Sequence, residues 1–199
     1  MEISSQERDV LSELANIGAN AAATALAQMA GKKVELSVPS IQIKDVQDVK
    51  GGAGNLEEKV AAVYIGVFER NSAILVTFPE KSALRLVDVL LGKKPGASKE
   101  IRDAEKSAFD EMGNILVGAY LAAIANFLKT KIAQGVPHSA VDMSGALLDA
   151  AIVQIATGTN EVLVTDANFS IEKHVVGARI YFLFEPGVVR SLLLKAKKI

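Results

Sequence analysis

Apolar residues change their period several times along the chain, and each change predicts an element. From Asp9 onward, Val10, Leu14, Ile17, Ala21 and Ala25 recur at helical spacing. Asp9, Glu13, Asn16 and Asn20 fall opposite them, within a stripe about 60° wide at ~100° of turn per residue. The pattern predicts a helix that opens near Ser4 or Ser5, with Glu7 or Arg8 following, and runs to about Ala30, where Gly31 supplies a stop. Lys33 to Val38 alternates like a half-buried strand and Pro39 closes it, while Ile41 to Val49 reads as a looser extended segment. Gly51, Gly52, Gly54 and Asn55 form a turn or loop, with no Lys-Ser/Thr pair after it to make a phosphate cradle. Val60 to Phe68 and Ala73 to Phe78 predict two strands joined by Glu69, Arg70, Asn71 and Ser72. Pro79 to Leu91 returns to the helical period at Leu84, Val87, Leu90 and Leu91, and Gly92 ends it.

Lys93 to Lys99 is basic, contains Pro and Gly, and reads as a linker. Beyond it a second long helix is predicted over about Arg102 to Leu128. Its polar ridge is Ser107, Glu111, Asn114 and Gly118, with Ala108, Met112, Ile115, Ala119 and Ala123 opposite. Lys131 to Val136 occupies the place of the first strand. Val141, Ala146, Leu147, Leu148, Ala151, Ile152 and Ile155 then predict an inserted helix, Ser139 to Ile155, ending at Thr157 and Gly158. On that helix Asp142 and Asp149 stand seven apart on one face, either as a docking patch or as its solvent side. Glu161 to Ser170 and Val175 to Phe184 predict strands, and Pro186 to Lys198 a closing helix with a basic end.

The two ridges can be overlaid. With Glu13 on Glu111 and Asn16 on Asn114, at an offset of 98 residues, Asp9 falls on Ser107 and Pro39 on Pro137. Both copies read Asp/Ser, three residues, Glu, two residues, Asn, twenty-two residues, Pro. An offset that long predicts a duplicated unit, about 1–92 and 100–199 around the linker 93–99, within one domain spanning 1–199. Glu and Asn on an exposed stripe fit a solvated face. Yet Asn is a mediocre choice in mid-helix, because its side chain competes for backbone hydrogen bonds, and here it stands at the same place twice.

Composition narrows the chemistry. The chain has 199 residues, 50 % hydrophobic and 23 % charged, which is enough for a real core. A net charge of −1 gives no electrostatic case for nucleic acid or an acidic membrane. With no cysteine there is neither a disulfide nor a thiolate metal site, and the two histidines, His138 and His174, read as surface residues. The N-terminus lacks the layout of a signal peptide, and no apolar run is read as reaching the ~18 residues of a membrane span. The nearest candidate is Ile115 to Leu128. The expected location is the cytoplasm. Paired-carboxylate hydrolysis would need two acids converging on a substrate, but each acid here is paired with an amide. No nucleophile with an adjacent base is legible. From the residues alone, a partner-facing binding surface stands ahead of an enzyme.

The doubled motif resembles the signature of the CheC/CheX/FliY family of response-regulator phosphatases of chemotaxis. Two complete copies are present, Asp9/Glu13/Asn16/Pro39 and Ser107/Glu111/Asn114/Pro137, and the surrounding words ELANIGA and EMGNILVGAY are similar too. Length and motif number point to the CheC type, since CheX-like members carry one motif and FliY-like members append a further domain. The resemblance implies an α+β, pseudo-twofold duplicated domain with two long exposed motif helices on a largely antiparallel sheet. It implies hydrolysis of the aspartyl phosphate of CheY, with Asn16 or Asn114 holding the attacking water and Glu13 or Glu111 docking to the regulator's lysine. Asp9 and Ser107 are then motif-associated, and Pro39 and Pro137 mark strand ends. No cofactor belongs to the chain itself, because the Mg2+ is supplied by the bound CheY. The inserted helix matches a region implicated in binding the receptor deamidase CheD, with Asp142 and Asp149 as handles. The alternative is a non-catalytic adaptor that binds CheD or sequesters CheY-phosphate.

Overall fold

The first helix, α1 (Ser5–Ala30), begins where a hydroxyl and a carboxylate satisfy its free amides. In a computed structural model, which describes residues 4–38, 41–45, 48, 56–67, 72–155, 161–171, 174–184 and 186–197, Ser4 Oγ accepts from the Glu7 amide at 3.2 Å. The Glu7 carboxylate accepts from the Ser4 amide at 3.0 Å, completing a capping box. Gly31 ends the helix at φ 60°, a conformation that glycine adopts without Cβ strain. Four expected features lie outside the described residues: Pro39, the glycine loop 51–55, the turn at 69–71, and Thr157 with Gly158. So do Val49, Phe68 and Lys198, at predicted element ends.

Among the described residues the strands are β1 (Val34–Ser37), β2 (Gln42–Asp45), β3 (Lys59–Gly66), β4 (Ala73–Pro79), β5 (His138–Met143), β6 (Glu161–Ile171) and β7 (His174–Leu183). The other helices described are α2 (Glu80–Leu90), α3 (Asp103–Phe127), α4 (Ser144–Ile155) and α5 (Pro186–Ala196). The sheet order is β1-β6-β7-β4-β3-β5, with β2 also on β6, and every pairing of named strands is antiparallel. This is the expected α+β class. The order also reads alike from both ends: β4 and β7 meet in the middle, with Leu75 opposite Tyr181, β3 and β6 flank them, and the short strands lie outside.

Because β3 and β4 are buried on both faces, they read as unbroken apolar runs rather than as alternation. On one face Ala61, Val63, Ile65, Ile74, Val76 and Phe78 meet α1, α2, α3 and α5. On the other, Ala62, Ala73, Leu75, Val164, Tyr181 and Leu183 meet Leu148 and Ala151 of α4. Phe78 lies edge-on to Phe109 at 5.9 Å and to Phe169 at 6.1 Å, locking α3 to the sheet. By length and composition α3 could cross a bilayer, contrary to the sequence expectation, but Phe109, Met112, Leu116, Tyr120 and Ile124 are buried in this core.

Two expectations in the second half change. Lys131 to Val136 is not a strand: it makes a single bridge, Val67 to Gln134, supported by the Gly135 amide donating to Gly66 O at 2.8 Å. Gly135 and Pro137 explain the interruption, and the strand starts after the proline. The helix predicted from Ser139 begins only at Ser144. His138 to Met143 instead pairs with β3, with exposed and half-buried residues alternating from His138 to Asp142, so Val141 belongs to period two rather than to the helix.

The Lys93 to Lys99 stretch is held against α2. The buried Asp88 carboxylate accepts from the amides of Gly96 at 2.7 Å, Ala97 at 3.0 Å and Ser98 at 3.0 Å. Burial pushes the Asp88 pKa up, yet the Ser98 hydroxyl and the three amides hold it below the ordinary value.

Candidate functional site

The polar ridge of α1 comes out as the spacing predicts. Asp9, Glu13, Asn16 and Asn20 are all exposed. The buried side differs from the prediction. It centres on Leu11, Leu14, Ala15, Gly18, Ala19 and Ala22, while Val10, Ile17, Ala21 and Ala25 are only half-buried, a rotation of about one residue's turn, ~100°. Small residues mark the face of closest approach. A Cβ at Gly18 would stand 2.5 Å from the Tyr120 ring of α3, so glycine here lets the two motif helices touch.

On α3, Ser107 and Glu111 are exposed, whereas Asn114 and Gly118 are half-buried. The buried side is again turned, to Phe109, Met112, Gly113, Leu116, Val117 and Tyr120, with Ala108, Ile115, Ala119 and Ala123 half-buried. Gly113 lets α3 lie on the sheet, since a Cβ there would meet Val63 at 2.5 Å. Neither Glu13 nor Glu111 has an ion-pair partner among the described residues, so both carboxylates are presented to solvent. The arrangement offers, on each of two packed helices, an anionic group one turn from a carboxamide. Such a pair can take a cation and hold a water, but it supplies no nucleophile.

The two copies differ in what surrounds the asparagine. Asn16 makes no side-chain hydrogen bond among the described residues. Asn114 Oδ1 accepts from Gln134 Nε2 at 3.2 Å. Lys106, one residue before Ser107, bridges Asp110 at 2.8 Å and Ser139 Oγ at 3.1 Å, tying α3 to β5. Sequence reasoning missed Gln134. The available signal was Gly118, a costly mid-helix glycine standing where the first copy has Asn20. Pro137 is half-buried in the segment leading into β5.

Asp142 and Asp149 do not share a helix face. Asp142 lies on β5, opposite Val60, and Asp149 lies on α4, both exposed. The helical period carried across Met143 had put them together. Since α4 covers the sheet face away from α1 and α3, neither acid belongs to the Glu–Asn ridges. An open groove of about 770 Å³ beside α4, lined by Tyr64, Leu75, His138, Leu147 and Ala151, contains neither Glu–Asn pair. For His174 the backbone places it at the start of β7.

A family model described as the CheC-like family matches residues 7–43, a span containing the whole first copy from Asp9 to Pro39. The chain is 25 % identical over 175 residues to the CheY-P phosphatase CheC of Bacillus subtilis, covering 86 % of this chain and 84 % of that protein. It is 28 % identical over 173 residues to a putative CheY-P phosphatase CheC1 of Halobacterium salinarum, covering 86 % of each. Among solved structures, Thermotoga maritima FliY superposes with a TM-score of 0.80 at 19 % identity, over 100 % of this chain and 99 % of that one, which shows a shared fold.

Proposed function

We propose that this chain, which resembles the CheC-like proteins over most of its length, is a phosphatase acting on the aspartyl phosphate of the response regulator CheY. The observation that carries the reading is the display of two Glu-x2-Asn pairs, Glu13/Asn16 and Glu111/Asn114, on the solvent side of two long helices that touch at Gly18 and Tyr120. The names of the Bacillus and Halobacterium relatives supply the substrate class.

In this reading one motif helix is laid across the phosphorylated site of the regulator. Glu13 or Glu111 pairs with the regulator's lysine and fixes the register. Asn16 or Asn114 orients a water in line with phosphorus. The water oxygen attacks, the phosphorus–oxygen bond to the aspartyl carboxylate breaks, and inorganic phosphate leaves. The chain contributes position and hydrogen bonds, and the Mg2+ belongs to CheY. Asp9 and Ser107, one turn earlier, lie where the partner would extend along the helix. A CheY-directed role would be exercised in the cytoplasm.

Docking of CheD on α4 remains part of the proposal. Because α4 lies on the opposite sheet face, such a partner would leave the Glu13–Asn16 ridge open to CheY, while the groove beside α4 reaches Gln134, the hydrogen-bond partner of Asn114. The deciding assay is phosphate release from CheY-phosphate with this chain present at far below stoichiometric amounts. Many turnovers per chain are expected. One-for-one protection of the phosphate would replace the phosphatase with a sequestering adaptor.

A further inference from the structure

Of the two carboxamides, only the second meets a side-chain partner among the described residues, and three features create that contact. Gln134 Nε2 donates to Asn114 Oδ1 at 3.2 Å. Gly118, one turn after Asn114, leaves the notch that Gln134 occupies, since a Cβ there would come within 3.3 Å of Nε2 and 3.5 Å of Oε1. The backbone under Gln134 is fixed from the sheet side by its bridge to the buried Val67 and by the Gly135 amide on Gly66 O. In the first copy the matched positions carry Asn20 in place of Gly118 and Leu36 in place of Gln134. Leu36 is buried in β1 and has nothing to donate.

We infer that Gln134 is a positioning residue for Asn114, holding its carboxamide in the rotation that presents it to the attacking water. The inference rests on the phosphatase reading above. The terminal torsion of an asparagine is broad and roughly two-fold, so an unrestrained amide exchanges its oxygen and nitrogen ends. With Gln134 Nε2 donating, the oxygen end of the Asn114 amide faces Gln134. The bond occupies one lone pair of Oδ1 and leaves the other, with the Nδ2 hydrogens, for water. The second copy is therefore the pre-organised site, and the first must order its amide when the partner arrives.

The test uses the full chain with two readouts. In an Asn16→Ala background, where turnover comes from the second copy, Gln134→Ala should lower kcat roughly three- to tenfold with KM unchanged, the size expected for releasing one rotor and one hydrogen bond. Gln134→Glu keeps the shape but cannot donate to Oδ1, so it should fall as far. Retained kcat in Gln134→Glu would mean that donation to Oδ1 is not what positions Asn114, and would overturn the inference. Gln134→Ala combined with Asn114→Ala should cost no more than Asn114→Ala alone. Side-chain amide 15N relaxation gives the activity-independent readout: Asn114 should be more ordered than Asn16, and Gln134→Ala should bring it to the Asn16 level. Equal mobility in the unsubstituted chain would overturn the inference. Turnover indifferent to Gln134 would overturn the inference alone. A chain that never turns over CheY-phosphate would overturn it together with the phosphatase reading.

Discussion

The α1 and α3 ridges share a spacing but not a setting. On α1 the ridge stands clear: Asp9, Glu13, Asn16 and Asn20 are exposed, and the helix is capped by its own Ser4–Glu7 box. On α3 the ridge is built into its surroundings. Gln134 reaches Asn114, Lys106 reaches Ser139, and the N-cap position, Arg102, makes no side-chain cap. Phe109 and Gly113 also seat α3 directly on the sheet. One motif is thus carried by a helix with its own capping box, and the other by a helix without a side-chain cap whose ridge is held by neighbours. Residue spacing copies the chemistry, while neighbours decide how firmly it is held.

The largest expected effect removes both sides of the comparison. Asn16→Ala with Asn114→Ala should lower CheY-phosphate hydrolysis about 100-fold or more, equivalent to about 3 kcal/mol of transition-state stabilisation. The melting temperature should hold, because neither asparagine is in the core and alanine is the better helix former. Of the single changes, Asn114→Ala should remove the larger share, since its amide is already held. A double variant that melts much earlier would make both residues structural.

Those ridges were legible because a 3.6-residue period is a local signal and a repeat shows by self-comparison at any offset, and the strands β3, β4, β6 and β7 were legible as local apolar runs. Three things were not. The buried faces of α1 and α3 are rotated because Gly18, Ala19 and Gly113 sit at the closest approach, where smallness matters more than hydrophobicity. The boundary between β5 and α4 falls at Met143 and Ser144, where the pairing with β3 ends at Lys59, and a helical period read from Val141 to Ala146 runs straight over it. Gln134 acts through a neighbour 20 residues away, which no window along the chain contains.

The segment that joins the two regions is the next to break. Asp88→Ala leaves three amides of the 96–98 turn without their acceptor, and should cost about 3 kcal/mol, read as a shift in denaturation midpoint at constant slope. The carboxylate is held below its ordinary pKa, so its contribution is complete above the ordinary carboxylate range and fades as pH falls through the lowered folded value. The difference in stability between Asp88→Ala and the unsubstituted chain should therefore narrow only in acid. A difference that stays flat with pH would remove Asp88 as the anchor.

Contact between the helices is broken by filling its notch. Gly18→Ala puts a methyl group 2.5 Å from the Tyr120 ring and should cost about 2 kcal/mol by overpacking, although alanine would favour an isolated helix. Ala21→Gly on the half-buried side is the control, expected near 1 kcal/mol from propensity alone. A stabilised Gly18→Ala chain would show that the helices have room to part.

The smallest effect separates the helices at their starts. Ser4→Ala removes the hydroxyl of the capping box and should cost about 1 kcal/mol, felt first as faster amide exchange in the first turn of α1. The first turn of α3 should not respond, because Arg102 supplies it no side-chain cap. Glu7 sharpens the point. The Ser4 amide holds its carboxyl down, with help from the Lys197 ammonium and the Ser4 hydroxyl, from an ordinary 4.5 to about 2. A depressed carboxylate stabilises the fold above its unfolded pKa and loses that contribution as pH falls through its folded one. Between pH 4.5 and about 2, therefore, protection of the α1 first turn should decline progressively, and Glu7→Gln should show the low-pH level of protection already at neutral pH. If Glu7→Gln keeps full protection there, the hydroxyl of Ser4 alone caps α1, and the start of that helix rests on one hydrogen bond rather than on a reciprocal pair.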